Sequence, residues 1–337
     1  MKRFGLSLIV SATTAAFLAL GFAGAAHAAA CNSPYVTGDV FDSVGNSTVD
    51  VFTPTGTLVC TLNDQIGSGT NGSGFDSSGN FYVTTFGSET VAKFDNSGNL
   101  VNSAFMQAGP HSNTPESIEN ITTGPFAGSS FVGGPGQNPP TINQFNTSTG
   151  MLIKSFTVAG GNGTGGTDWL TFISPTTAIY DGEGTAIKSF NFLTGHQNPD
   201  FGNDPHYGYA MSFIPSGTYA GYVLRADSTQ ATLLTPSGAI FRNYTLPGLS
   251  GNDFALALDP NGTDFWTADA NTSNGTIWEV NIATGHIDEQ FNCGGCPTGG
   301  LSVFGEPQVG TTPEPASLLL LGTGVLGVLG SIRRKLM

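Results

Sequence analysis

The chain has 337 residues, of which 48 are Gly, with 24 acids against 10 bases and only 10% charged residues in all. That composition excludes a coiled coil, a disulfide-dense miniprotein and a charge-rich disordered chain, and leaves one large, turn-rich β domain. Five of the bases sit at the two ends, so residues 31–312 carry 5 bases and 23 acids; a surface that negative repels phosphate backbones, and nucleic acid is not an expected partner.

At the N-terminus, Lys2 and Arg3 precede an apolar, Ala-rich run over residues 4–25, and Ala26-His27-Ala28 offers the small-x-small pattern that signal peptidase cuts. Residues 1–28 therefore read as a signal peptide, with signal peptidase as a partner during export.

The body, residues 29–310, is repetitive. Strand-like segments begin at Thr48 (TVDVF), Thr90 (TVAKF), Thr141 (TINQF), Ala186 (AIKSF), Ala231 (ATLLT) and Thr276 (TIWEV), about 45 residues apart. Each is followed by a turn that closes on glycine, at Gly56, Gly98, Gly150, Gly195, Gly238 and Gly285. Only glycine takes positive φ cheaply, so these read as hairpin turns. Two strand-like runs precede each segment and one follows, and a four-stranded unit at this period is a propeller blade. First strands near Phe75, Ile121, Trp169, Tyr209, Phe254 and Leu301 make six; the last lacks the rest of its blade, which residues 36–41, 48–52 and 58–62 supply from the N-terminal end. The expected fold is all-β: a six-bladed propeller of four-stranded blades closed by N- and C-terminal strands, with a signal helix before it and a transmembrane helix after it.

The run Phe75-Asp76-Ser77-Ser78-Gly79-Asn80-Phe81-Tyr82-Val83 resembles the NHL, SMP-30 and streptogramin-lyase-like propellers, loosely over residues 36–304. The pattern G-x-G-x-x-G occurs twice, at Gly67, Gly69, Gly72 and at Gly161, Gly163, Gly166, both read as connections between blades. A dinucleotide site needs a strand before it and a helix after it, whereas strands follow here. The segments beginning at Asp76 and Asp95 look like calcium-loop fragments, but Asx-turns account for them better.

Connections between blades, and those from second to third strand, share the face where a propeller's central funnel opens. That face collects His111, Glu116, Asp168, Asp204, His206 and Asp253, with Glu89, Asp181, Glu183, Asp227 and Asp269. Converging carboxylates bind a cation or raise one another's pKa; solvated loop acids are the plainer reading. SMP-30-like lactonases hold one divalent metal with a Glu, Asn and Asp set, and the resemblance implies Asp168, Asn252, Asp253, Glu119 and Asn120 as nearest equivalents, with calcium or another divalent cation as the ion. His206 joins them as a funnel candidate. No spacing assigns a catalytic nucleophile.

Four cysteines in an exported chain favour disulfides and allow three full pairings; Cys31 with Cys60 and Cys293 with Cys296 is the favoured reading.

At the C-terminus, Pro313-Glu314-Pro315 precedes 17 apolar residues, 316–332, and then Arg333-Arg334-Lys335. The run is about the minimum that spans a bilayer, and the basic end should stay cytoplasmic. This order of motif, helix and basic end resembles the PEP-CTERM sorting signal, over residues 311–337. The resemblance implies an exosortase as processing partner, attachment to the inner membrane before processing, a Gram-negative envelope, and a link to exopolysaccharide, biofilm matrix or a surface protein. The function expected is a surface or matrix protein whose propeller is a binding or scaffold module; the alternative is a metal-dependent lactonase- or lyase-like enzyme using the funnel acids.

Overall fold

A computed structural model of the protein describes residues 31–309 apart from 32, 108–113, 136–137, 251, 271–274 and 295–297. The expected signal helix and transmembrane helix, with Pro313, Glu314, Pro315, Arg333 and Arg334, lie outside the described residues. No helix among the described residues is long and apolar enough to cross a membrane.

The chain opens with β1 (Val40–Gly45), β2 (Thr48–Phe52) and β3 (Leu58–Asn63). Blade 1 is β4 (Gly69–Phe75), β5 (Phe81–Phe86), β6 (Thr90–Phe94) and β7 (Leu100–Gln107). Blade 2 is β8 (Ser117–Ile121), β9 (Ser129–Gly133), β10 (Thr141–Asn146) and β11 (Leu152–Thr157). Blade 3 is β12 (Trp169–Ser174), β13 (Thr177–Asp181) and β14 (Ala186–Asn191), its outer edge split into β15 (His196–Gln197) and β16 (Gly202–Asn203). Blade 4 is β17 (Gly208–Phe213), β18 (Val223–Asp227), β19 (Ala231–Leu234) and β20 (Ile240–Tyr244). Blade 5 is β21 (Asp253–Leu258), β22 (Asp264–Asp269), β23 (Thr276–Asn281) and β24 (Ile287–Asn292). Finally β25 (Gly300–Val303) pairs antiparallel with β1, Val40 opposite Val303 and Ser43 opposite Gly300, completing blade 6 in the order β25-β1-β2-β3.

The six inner strands surround one axis, β4 against β8, β8 against β12, and so on through β17, β21 and β25 back to β4. Each inner strand is an edge of its own sheet, and the ring turns these edges toward the shared axis, where neighbouring blades shield them. Burial follows position in the blade. Every residue of β22, sandwiched between its blade partners, is buried, whereas β24 at the rim alternates with solvent. Between blades 2 and 3 the rings of Phe131, Phe156, Phe172, Phe190 and Phe192 pack at centroid separations of 4.7–6.3 Å, within the favourable aromatic range. Trp266 and Trp278 are fully buried in the blade 5 region.

Each of the six repeat segments identified in the sequence is the third strand of a blade. Each repeat glycine has φ between 70° and 81°. Asp76 and Asp95 form Asx-turns: Asp76 Oδ1 accepts from the amides of Ser78 and Asn80, and Asp95 Oδ1 from those of Ser97 and Asn99. One placement needs correction. Gly69 and Gly72 of the first G-x-G-x-x-G lie within inner strand β4, not in a connection. The reason is crowding at the axis, because a Cβ on Gly72 would collide with the Glu116 carbonyl of the next blade.

Cys31 and Cys60 form a disulfide across a sequence separation of 29, tying the chain start to β3. The second expected bridge involves Cys296, outside the described residues; its partner Cys293 is buried beside β23 and β24.

Candidate functional site

Strand direction sorts the ring's two faces. All inner strands run the same way along the axis, so their starts lie at one mouth of the channel, called the upper here, and their ends at the lower.

At the upper mouth, acids recur at two positions of the blade. Glu116, Asp168 and Asp253 stand at or just before the start of an inner strand, and Asp181, Asp227 and Asp269 end the second strands of blades 3, 4 and 5. Register joins the two positions, since Trp169 pairs with Asp181 and Asp253 with Asp269. All six side chains are buried.

Two groups form there among the described residues. In the first, Glu116, Asp168 and Glu183 each bring a carboxylate oxygen within 4.8 Å of the others. Asp168 Oδ2 accepts from Thr164 Oγ1 at 2.6 Å, while its Oδ1 and Glu116 Oε2 are buried without hydrogen-bond partners. Burial, reinforced by neighbouring acids, pushes Glu116 up to about 9 and Asp168 up to about 8, the Thr164 bond opposing the shift at Asp168; burial also raises Glu183. The second G-x-G-x-x-G frames this group. Thr164 N donates to Gly182 O at 2.6 Å and Gly161 N to Gly166 O at 2.9 Å. A Cβ on Gly166 would press on Asp168 Oδ1, and one on Gly182 on the Gly166 backbone. These glycines pack two loops around a carboxylate rather than a pyrophosphate.

In the second group, Asp204, His206 and Asp227 converge. His206 Nδ1 is 3.1 Å from Asp204 Oδ1 and 3.7 Å from Asp227 Oδ2. Arg225, fully buried on β18, crosses between blades: it donates to Asp181 Oδ2 at 3.1 Å and Gly184 O at 2.6 Å, and lies 3.5 Å from Asp204 Oδ2. Gly208 leaves it room, since any Cβ there would overlap the guanidinium. Arg225 thus neutralises Asp181 and Asp204, and among the described residues no salt bridge reaches the first group. Sequence reasoning missed Arg225, although an Arg inside the strand-like run VLRAD, amid a large excess of acids, was a readable sign.

Of the remaining candidates, His111 lies outside the described residues. Asp253 accepts from Thr267 Oγ1 and belongs to neither group; burial raises it well above the usual carboxylate range. Asn252 holds the strand end, its carbonyl accepting from Ala270 N at 3.0 Å. Glu119 and Asn120 line a channel cavity of about 390 Å³ together with Ser73, Thr171, Ser212 and Glu306. Asn120 Oδ1 accepts from Ser130 Oγ at 2.5 Å. Burial, then the charge on Glu306, pushes Glu119 up to about 8, and burial pushes Glu306 up to about 7 against the bonds it accepts.

Those bonds belong to a strap. After β25 the chain turns across the lower mouth, where Glu306 Oε1 accepts from Ser212 Oγ at 2.9 Å and Leu258 N at 2.8 Å. Gln308 Nε2 donates to Phe75 O at 3.3 Å, and Thr123 Oγ1 to Val309 O at 3.1 Å. Residues 306–309 therefore touch blades 1, 2, 4 and 5.

Comparison with known proteins agrees with this architecture. A chain of a nidogen–laminin complex superposes with a TM-score of 0.60 at 14% identity, covering 81% of this chain and 100% of that one. Hydrazine synthase of Kuenenia stuttgartiensis gives 0.52 at 13% identity, covering 77% and 84%. At such identities the likeness is one of fold alone. No curated protein matches the chain. Residues 311–335 match the PEP-CTERM protein-sorting motif, which implies export to the cell envelope or surface and processing by an exosortase. The chain thus carries a PEP-CTERM protein-sorting motif, and its described body is a six-bladed β-propeller.

Proposed function

We propose that this protein, freed of residues 1–28 and sorted by residues 311–337, is a surface or matrix component whose propeller, residues 29–310, is a binding or scaffold module for exopolysaccharide or a surface partner. The observation that carries this reading is the strap. The chain leaves the ring across the lower mouth, two residues before the sorting motif begins, so the tail side of the ring is occupied by the protein's own backbone. The upper face, with its glycine loops and acids, is left to face outward. Fold alone does not choose between binding and catalysis; the placement of the carboxylates supports the binding reading. Of the acids in the lactonase-like alternative, which also draws on Asn252 and Asn120, Asp168 converges with Glu116 and Glu183, while Asp253 and Glu119 join neither carboxylate group among the described residues.

The test is retention. Purified protein is immobilised and challenged with exopolysaccharide extracted from the producing cells, with free polymer as competitor. The proposal expects saturable, competable retention and no turnover of lactone substrates. Polymer that flows through, together with metal-dependent lactone hydrolysis, would reverse it.

A further inference from the structure

Among the described residues, no salt bridge reaches three carboxylates at the seam of blades 2 and 3. Glu116 leads into β8, Asp168 leads into β12, and Glu183 sits in the loop from β13 to β14 with φ of 55°. Glu116 is 5% exposed and Asp168 0%, and each has a buried oxygen without a hydrogen-bond partner. Arg225, a buried cation, is committed to Asp181 and Asp204 on the adjoining seam. Burying carboxylates costs several kcal/mol unless a charge or donor compensates. The backbone is built to hold them close rather than to let them separate. Thr164 ties Asp168 to the Gly182 carbonyl's loop, and Gly166 and Gly182 remove the Cβ atoms that would push the two loops apart.

We infer that Glu116, Asp168 and Glu183 form a calcium site that pins the connection from blade 2 to blade 3. The donors are all carboxylate oxygens, the hard set that calcium and magnesium take and zinc or copper do not favour. Their spacing accommodates calcium. Oxygens 2.3–2.6 Å from a common calcium lie at most about 5 Å apart, and these lie within 4.8 Å of one another. Remaining positions fall to water or nearby carbonyls, as in flexible calcium sites. Such an ion would replace mutual repulsion by attraction and stabilise the folded ring by mass action. This inference does not depend on what the propeller binds at its upper face.

The test uses the full chain purified in mild detergent and stripped with chelator. Calcium is titrated while thermal unfolding is followed, and terbium luminescence sensitised by Trp169, the residue after Asp168, reports the ion's location. The inference expects one ion per chain and a rise in Tm of about 5 °C or more at a hundredfold excess over Kd. Glu116→Gln should remove that rise while raising the Tm of the chelated protein by about 2–4 °C, because a neutral amide removes the cost of burying an acid there. That gain distinguishes a lost ligand from a misfolded variant. Glu183→Gln should weaken calcium at least tenfold, and His206→Gln, at the other group, should leave the response intact. Absence of a calcium response in the wild type, a full response in Glu116→Gln, or loss of the response in His206→Gln would each overturn the assignment.

Discussion

Gly98 and Gly195 occupy the same turn of the repeat, yet side chains at the two sites meet different surroundings. Both have positive φ, 81° and 73°, so Ala at either incurs about 1–2 kcal/mol of backbone strain. A Cβ on Gly98 also strikes Cys31 of the disulfide, whereas one on Gly195 meets open space. Gly195→Ala is therefore expected to lower stability by about 1 kcal/mol and Gly98→Ala by about 2–4 kcal/mol in urea melts, the excess coming from the collision; equal losses would show that the collision relaxes freely. At this scale the candidate site was only half legible. The sequence put Glu116, Asp168 and Glu183 on one face because face follows from position in the repeat. It could not say that these three meet, since they come from three different connections. Nor did it pair Arg225 with Asp181, 44 positions apart.

Among elements, the strap and the disulfide make testable demands. Glu119 and Glu306 face each other in the channel with pKa values raised to about 8 and about 7. A raised carboxylate is favoured in its protonated form by folding. The stability it contributes is full below the unfolded pKa of about 4.3 and is lost as pH rises through 7 and 8. Tm should therefore fall from pH 5 to pH 9. Glu306→Gln keeps an acceptor for Leu258 and Ser212 but cannot ionise, so its Tm curve should be flatter than the wild type's and gain on it at pH 9; parallel curves would remove the pair from the account. The Cys31–Cys60 bond closes a loop across a separation of 29 residues, which corresponds to about 3–4 kcal/mol of chain-entropy stabilisation. Cys31→Ala with Cys60→Ala should cost about that much by urea denaturation, and a loss under 1 kcal/mol would mean that the packing of Tyr35 and Phe41 holds the chain start unaided.

For the whole molecule, closure is the governing feature. The six-bladed ring was legible because each blade's third strand and its glycine turn are local signals that repeat, and because a lone first strand at Leu301 matched three strands lacking one at the other end. The strap was not legible, since residues 306–309 belong to no repeat and their partners are spread around the ring. Closure relies on the four residues of β25 against β1, so Leu301→Asp should open the ring, expose the β1 edge and drive association visible by light scattering. Sorting of this ring by its C-terminal motif is tested by fractionating producing cells that carry the wild type or Pro313→Ala with Glu314→Ala and Pro315→Ala. The account predicts wild-type protein at the surface or in the matrix and the triple variant held with the inner membrane. Identical distribution of the two would contradict it.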